Sequence, residues 1–339
     1  MPIHTRFETL IEDQPGPMWQ ALFARFWPGY RNWFLRGGVV GRPGFLECRR
    51  ALRTHMPELV PTLERLTELA GGGDIEARFL SLWCPPPYIS GCAQGVWIDP
   101  LGNEAPGLFR NYDFAPVLLE GSWLATRWTG QRVLAMGDCM WGALDGCNEA
   151  GLAASLSFGG RTAHGEGFGV PLVLRYLLEV AESTAQAVKL LQRLPISASY
   201  SITLLDARAD WATVFVAPDR PAEVTKQAAI TNFQHQIEWQ EHARATQAAA
   251  RLDRLQQVLS QSTHADQVTQ ALLQAPLFQT HYTRGYGTLY SAVYRPSSGQ
   301  VALHWPGRSW VQHIDRFASG RMQVDYVDAT PPLSTPTET

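Results

Sequence analysis

Residues 85–114 read PPPYISGCAQGVWIDPLGNEAPGLFRNYDF. Three consecutive prolines cannot continue a helix and favour an extended, exposed segment. Beyond them, CAQGVWI and GLFRNYDF flank DPLGNE, a cluster of turn formers, and this pattern predicts a hairpin. Counting back from the centre of the turn puts Cys92 opposite residues 111–113. Local geometry alone therefore brings the run Arg110 to Asp113 beside the thiol. An arginine stabilises a thiolate, and a carboxylate stabilises a cationic amine. Arg110 and Asp113 differ in strand parity, however, and a regular strand sends them to opposite faces. A bulge, or the end position of Cys92, is required if both are to reach the thiol.

The glycine before the cysteine has a chemical reading. Breaking the Gly91–Cys92 bond gives Cys92 a free α-amine of pKa ~7.7–8.0. That amine can serve as general base for its own thiol. Glycine leaves room for the strained geometry in which a thiol attacks the carbonyl preceding it, and the proline lead keeps the bond accessible. Cys92 is thus a candidate nucleophile that makes itself N-terminal. Tyr112, within the run opposite it, is a further candidate.

Outward from this hairpin, residues 1–83 read as helical and aromatic-rich. MPELVPTLERLTELAGGG carries leucines near helical spacing and a glycine stop. Downstream, RVLAMGD, LAASLSF, SITLLD and WATVFVA predict strands. Residues 170–195 predict two helices, the second capped by Ser183 or Thr184. Residues 243–276 predict another pair, with Ser262 or Thr263 as the cap. YGTLYSAVYRP and QVALHWPG return to strands around SSG. Helices paired between runs of strands predict an α+β fold of stacked antiparallel sheets covered by helices, not alternating β-α units. The organisation expected is a helical N-terminal pro-segment or small subunit over residues 1–91, a catalytic domain over 92–325 and a disordered tail over 326–339.

Composition narrows the classes of function. The 339 residues are 45% hydrophobic and 17% charged, with a net charge of -3. This suits a globular chain with a substantial core and gives no electrostatic footprint for nucleic acid or an anionic membrane. Lys189 and Lys226 are the only lysines, which disfavours Schiff-base chemistry. Five cysteines without C-x-x-C spacing argue against a disulfide framework or a zinc site and for a reducing compartment. The histidines lack H-E-x-x-H spacing, so no metal is expected. No signal peptide and no membrane span are legible, and the expected location is cytoplasmic. GEGFG at 165–169 lacks a phosphate-loop pattern and reads as a loop near a substrate mouth.

GC followed by RNYDF, then GCNEAGLAASLSFGG, TNFQHQ and the R-x-x-R-L helix at Arg251, resembles the N-terminal-nucleophile (Ntn) hydrolases of the isopenicillin-N acyltransferase family, relatives of penicillin V acylases and choloylglycine hydrolases. The likeness spans roughly residues 50–315. It implies a four-layer α-β-β-α sandwich, self-cleavage at Gly91–Cys92, and hydrolysis or transfer at a linear amide through a Cys92 thioester. It implies Cys92 as nucleophile, Arg110 beside the thiol, Asp113 on the α-amine and Asn232 as oxyanion donor. Ser157 stands where the bile-salt enzymes carry an asparagine, so its backbone N–H is the support to expect for the oxyanion. Arg251 matches a further arginine, with Arg254 competing for that register. No cofactor is implied, although an acyl-coenzyme A is admissible as a substrate. The partners implied are a small acyl amide or acyl donor and an amine acceptor, with the cleaved N-terminal segment staying bound. Self-association is left open.

Blander readings stand beside these. A lone cysteine is more often a small buried hydrophobe, which fits Cys48, Cys139 and Cys147. Asp113 and Arg110 are, without Cys92, a plain cross-strand ion pair, and Asn232 alone is a turn former. Two rival functions follow. One is an unprocessed Cys-His thiol hydrolase using His164 or His235. The other is a non-catalytic binding scaffold on the same fold.

Overall fold

The first residues already depart from the helical reading. Thr5, Phe7 and Thr9 are buried, while His4 and Arg6 between them are exposed, a two-residue period that belongs to a strand. The structure, a computed structural model, describes residues 2–328. In chain order it begins with β1 (Ile3–Glu12), α1 (Pro17–Phe34), α2 (Phe45–His55), α3 (Val60–Leu69) and α4 (Asp74–Leu80). The hairpin β2 (Gly91–Trp97) and β3 (Gly107–Phe114) follows, then β4 (Ser122–Thr126), β5 (Val133–Asp138), β6 (Gly142–Asn148) and β7 (Leu152–Phe158). After α5 (Val170–Val180) and α6 (Thr184–Arg193) come β8 (Tyr200–Asp206), β9 (Trp211–Ala217), β10 (Arg220–Thr225) and β11 (Ala229–Ile230). The chain continues with α7 (Gln240–Ala245), α8 (Ala248–Gln261) and α9 (Ala265–Leu272). It closes with β12 (Thr280–His281), β13 (Tyr286–Arg295), β14 (Gln300–Trp305), β15 (Arg308–His313) and β16 (Arg321–Tyr326).

Two sheets result. Nine strands run in the order β10-β9-β8-β7-β6-β5-β4-β1-β16, and the second sheet runs β11-β2-β3-β13-β14-β15 with β12 paired to β13. Strand alternation sorts side chains into three apolar layers. Trp123, Met136, Leu144 and Ala153 of the large sheet meet Val96, Leu108, Leu289 and Leu303 of the small one between the sheets. Leu124, Ala154 and Leu156 point the other way, into a layer shared with α1 to α6. Ala93, Trp97 and Phe109 face outward under α8 and α9. This is the four-layer α-β-β-α sandwich implied by the resemblance.

Three expectations need correction. Residues 1–91 open with β1, which pairs in parallel with β4 and antiparallel with β16, so the N-terminal segment is part of the large sheet and not purely helical. Residue 326, assigned to the tail, closes β16, and the expected disorder of residues 329–339 lies outside the described residues. The cap of α9 is His264 rather than Ser262 or Thr263, because Gln267 reaches back to the His264 N–H at 3.3 Å. Ser183 does cap α6, accepting from the Gln186 N–H. Among the described residues no helix is long and apolar enough to cross a membrane.

Candidate active site

The β2–β3 ladder pairs Cys92 with Tyr112, Gly91 with Asp113 and Gln94 with Arg110. The hairpin register read from the sequence therefore holds, and it fixes which side chains share a face. Cys92, Arg110 and Tyr112 point into the layer between the sheets. Asn111 and Asp113 point outward, where Asn111 donates to the carbonyls of Leu272 and Leu277 at 2.8 and 3.0 Å. Arg110 and Asp113 thus lie on opposite faces, as their parity requires, and of the two it is Arg110 that reaches the thiol.

On the inner face, Arg110 Nη2 donates to the Cys92 sulfur at 3.1 Å, and Nη1 donates to Asp145 Oδ2 at 2.9 Å. Asp145 also accepts from Tyr290 at 2.5 Å and from Tyr294. All these groups are buried. Burial pushes the Cys92 thiol up, against the pull of the Arg110 cation. Burial likewise opposes the Arg110 charge, and the Cys92 sulfur and the Asp145 carboxylate outweigh it, holding the guanidinium protonated.

On the outer face, Asp113 forms a buried ion pair with Arg251 and accepts from the Thr288 hydroxyl at 2.6 Å. Burial works against the Arg251 charge and Asp113 restores it. Arg254 lies half-buried and unpaired with Asp113, bonded to Gln257 at 2.9 Å. The competition for register is thus decided in favour of Arg251, one helix face being buried on the sheet and the other solvated. Tyr286 packs here too, and a Cβ added to Gly91 would lie 2.0 Å from its hydroxyl. Only glycine fits before Cys92.

Asn232, just past β11, binds the Cys92 backbone. Its Oδ1 accepts from the Cys92 N–H at 3.0 Å. Its Nδ2 faces the Ser90 carbonyl at 3.4 Å, the Ser157 hydroxyl at 3.3 Å and the Phe158 carbonyl at 3.3 Å. The Ser157 hydroxyl itself donates to the Thr231 carbonyl at 3.0 Å, so its side chain braces the Asn232 loop. Gly160 allows this approach, since a Cβ there would meet the Asn232 carbonyl oxygen at 2.1 Å.

The histidines named from the sequence lie elsewhere. His164 is exposed in the loop before α5, and His235 pairs with Glu223 at 3.0 Å on the surface. The hydrogen-bond partners of the Cys92 sulfur are Arg110 and, at 4.0 Å, Ser90.

Several site residues escaped the sequence reading. Asp145 was legible in principle: a lone carboxylate in the apolar run MWGALDGC requires a buried partner. Tyr88 and Tyr112 share a hydrogen bond, and Tyr200 donates to the Tyr88 carbonyl at 2.6 Å. Behind Tyr88 lies an acid cluster in which the Tyr30 hydroxyl meets Glu120 at 2.6 Å and Asp138 at 3.0 Å. Burial raises Glu120 to about 7 and Asp138 to about 6. His242 lies between Trp239 and Phe158, where burial lowers its pKa. No local pattern signals Tyr88, Tyr200, Tyr30, Glu120, Asp138 or His242; they meet only in the fold.

Comparison with known proteins agrees with this architecture. The family model described as acyl-coenzyme A:6-aminopenicillanic acid acyl-transferase matches residues 101–310. No curated protein matches the chain. Among solved structures, a conjugated bile acid hydrolase from Clostridium perfringens is 11% identical with a TM-score of 0.50, over 68% of this chain and 96% of that one. A penicillin V acylase from Agrobacterium tumefaciens is 15% identical with a TM-score of 0.45, over 66% and 86%. An N-acylethanolamine-hydrolyzing acid amidase orthologue from Caenorhabditis elegans is 15% identical with a TM-score of 0.47, over 61% and 93%. At such identity the bile acid hydrolase supports the fold alone, that of the Ntn hydrolases. The match of the family model over most of the chain goes further: this chain belongs to the acyl-coenzyme A:6-aminopenicillanic acid acyl-transferase family.

Proposed function

We propose that this protein is a cysteine amidohydrolase or acyltransferase that matures by breaking its own Gly91–Cys92 bond. The observation that carries the reading is the Arg110–Cys92 contact at 3.1 Å at the head of a strand whose first peptide N–H is held by Asn232. In maturation the Cys92 sulfur bonds to the Gly91 carbonyl carbon and the C–N bond breaks. The thiol proton passes to the new α-amine. Water then cleaves the thioester, leaving a Gly91 carboxylate and a free thiol.

In turnover the α-amine takes the thiol proton and the sulfur adds to the substrate's amide carbonyl. Asn232 Nδ2 is the candidate donor to the oxyanion. The leaving amine departs with the proton, and water or an acceptor amine resolves the thioester. Arg110 stabilises the thiolate. Asp113, opposite Gly91 and clamped by Arg251, balances the charge of the α-ammonium. Small linear acyl amides are the substrate class, with acyl-coenzyme A a further candidate donor. The test is intact mass of freshly purified protein beside a Cys92→Ala variant, followed by an amide screen. Splitting into fragments of roughly 10 and 28 kDa in the parent chain alone supports the reading; two whole chains that hydrolyse no amide overturn it.

A further inference from the structure

The bond that the proposed maturation breaks is reached through residues 84–91, a lead that the fold fastens well before Gly91. At its start the Cys84 N–H donates to the Gly167 carbonyl at 2.8 Å, and Arg42 Nη1 donates to the Cys84 carbonyl at 3.3 Å. Pro85, Pro86 and Pro87 follow, with no N–H to bond and a backbone that stays extended. Then comes Tyr88, with only Ile89 and Ser90 between it and Gly91.

Tyr88 is held at three points. Its hydroxyl shares a hydrogen bond with the Tyr112 hydroxyl. Its carbonyl accepts from the Tyr200 hydroxyl at 2.6 Å, and its ring lies 5.5 Å from that of Phe114. The first contact bears directly on Cys92. Tyr112 is the ladder partner of Cys92, and the Arg110 guanidinium that donates to the Cys92 sulfur lies over the Tyr112 ring at 5.1 Å. The other side of Tyr112 is braced by Tyr290 at 5.6 Å, whose hydroxyl is bonded to Asp145. One side chain therefore touches both the lead to the Gly91 carbonyl and the cation that holds the sulfur. Attack needs those two atoms about 3–3.5 Å apart and aligned. Phenylalanine would fill the same space at 88 and 112, so packing alone explains neither hydroxyl.

We propose that Tyr88 is a positioning residue for self-cleavage: bonded to Tyr112 and Tyr200, it sets the Gly91 carbonyl carbon within reach of the Cys92 sulfur. This rests on the maturation proposed above, in which sulfur bonds to that carbon, the C–N bond breaks and the thiol proton passes to the new α-amine. The anchors combine in a definite pattern. The Tyr88 and Tyr112 hydroxyls make one bond between them, so losing both costs no more than losing either. The Tyr200 hydroxyl makes a separate bond to the carbonyl, so its loss multiplies that of the Tyr88 hydroxyl.

The test follows full-length chains from cell-free synthesis, stopped at intervals, with the fraction split read by intact mass. Tyr88→Phe and Tyr112→Phe are each expected to slow splitting roughly tenfold, the worth of one buried hydrogen bond. The Tyr88→Phe/Tyr112→Phe double variant matches the slower single, whereas Tyr88→Phe/Tyr200→Phe is slowed by the product of its singles. The same substitutions are placed in the uncleavable Cys92→Ala chain, where melting temperatures stay within about 4 °C of one another. Once fully split, Tyr88→Phe hydrolyses amides with the parent kcat, because the residue acts on the chain's own bond. Splitting of Tyr88→Phe at the parent rate overturns the inference and leaves the amidase reading intact. So does a Tyr88/Tyr112 double variant slowed by the product of its singles, or slow splitting that comes with a larger fall in melting temperature, which would assign the tyrosines to the fold. A parent chain that stays whole and hydrolyses no amide overturns both the inference and the function it rests on.

Discussion

Arg110 joins the Cys92 sulfur at 3.1 Å to the Asp145 carboxylate at 2.9 Å, with all three side chains buried between the sheets. Taking Asp145 away leaves a buried guanidinium with too little counter-charge. Asp145→Asn should therefore destabilise the fold by about 3–5 kcal/mol, read as a lower denaturant midpoint. Arg110→Gln removes the cation that opposes burial of the thiol. In the self-cleaved enzyme, the alkylation of Cys92 by iodoacetamide should then move to higher pH.

Asn232 holds the Cys92 N–H through Oδ1 and presents Nδ2 to the carbonyl side of the site. Asn232→Ala should cost about 10²–10³ in kcat, the usual loss for one oxyanion donor. KM should change far less, and far-ultraviolet circular dichroism should be unaltered. A kcat within threefold of the parent enzyme would exclude an oxyanion role.

Arg251 and Arg254 lie one turn apart on α8 with opposite fates. Arg251→Met strands the buried Asp113 carboxylate and should lower stability by about 3–5 kcal/mol. Arg254→Ala changes a half-buried side chain whose hydrogen bond goes to Gln257 and not to a buried charge, and should stay within about 0.5 kcal/mol. Urea titrations of both variants beside the parent chain measure the contrast.

The acid cluster predicts a pH dependence with a definite sign. Burial raises Glu120 to about 7 and Asp138 to about 6, above the unfolded values of ~3.9–4.3. Between about pH 4 and pH 7 the folded chain binds more protons than the unfolded one. The pair's contribution is full below the unfolded values and is lost as pH rises through 6 to 7. Melting temperatures from pH 5 to pH 8 should fall more steeply for the parent chain than for an Asp138→Asn variant, and equal slopes would remove the pair from the account.

The N-terminal segment should stay after cleavage. β1 lies between β4 and β16, and Trp19, Phe23 and Phe34 are only 0%, 5% and 1% exposed. Each buried aromatic withdraws about 150–250 Å² from water. Both fragments should therefore elute together in native gel filtration and part only in denaturant. A soluble large fragment running alone would refute this.

The hairpin that places Cys92 opposite Tyr112 was legible because its signals are local: proline lead, alternating strands, turn formers and a countable register. The same holds for β5, β7, β8 and β9 and for the Ser183 cap. β1 was also legible, in the alternation of Thr5, Phe7 and Thr9 against His4, Arg6 and Glu8, but the aromatic helices after it drew the whole segment into one reading.

The ordered motifs of the chain determined the family resemblance, the candidate nucleophile and the ladder beside it. Only the tertiary structure decided that Arg110 and Asp113 lie on opposite faces, that Arg251 rather than Arg254 turns inward, and that His242 stacks on Trp239 beside Phe158. Register within one hairpin depends on neighbours in sequence, which a reader can count. Contacts between α7, α8 and β2 depend on how layers of helix and sheet pack, and those positions are set by burial summed over the whole chain.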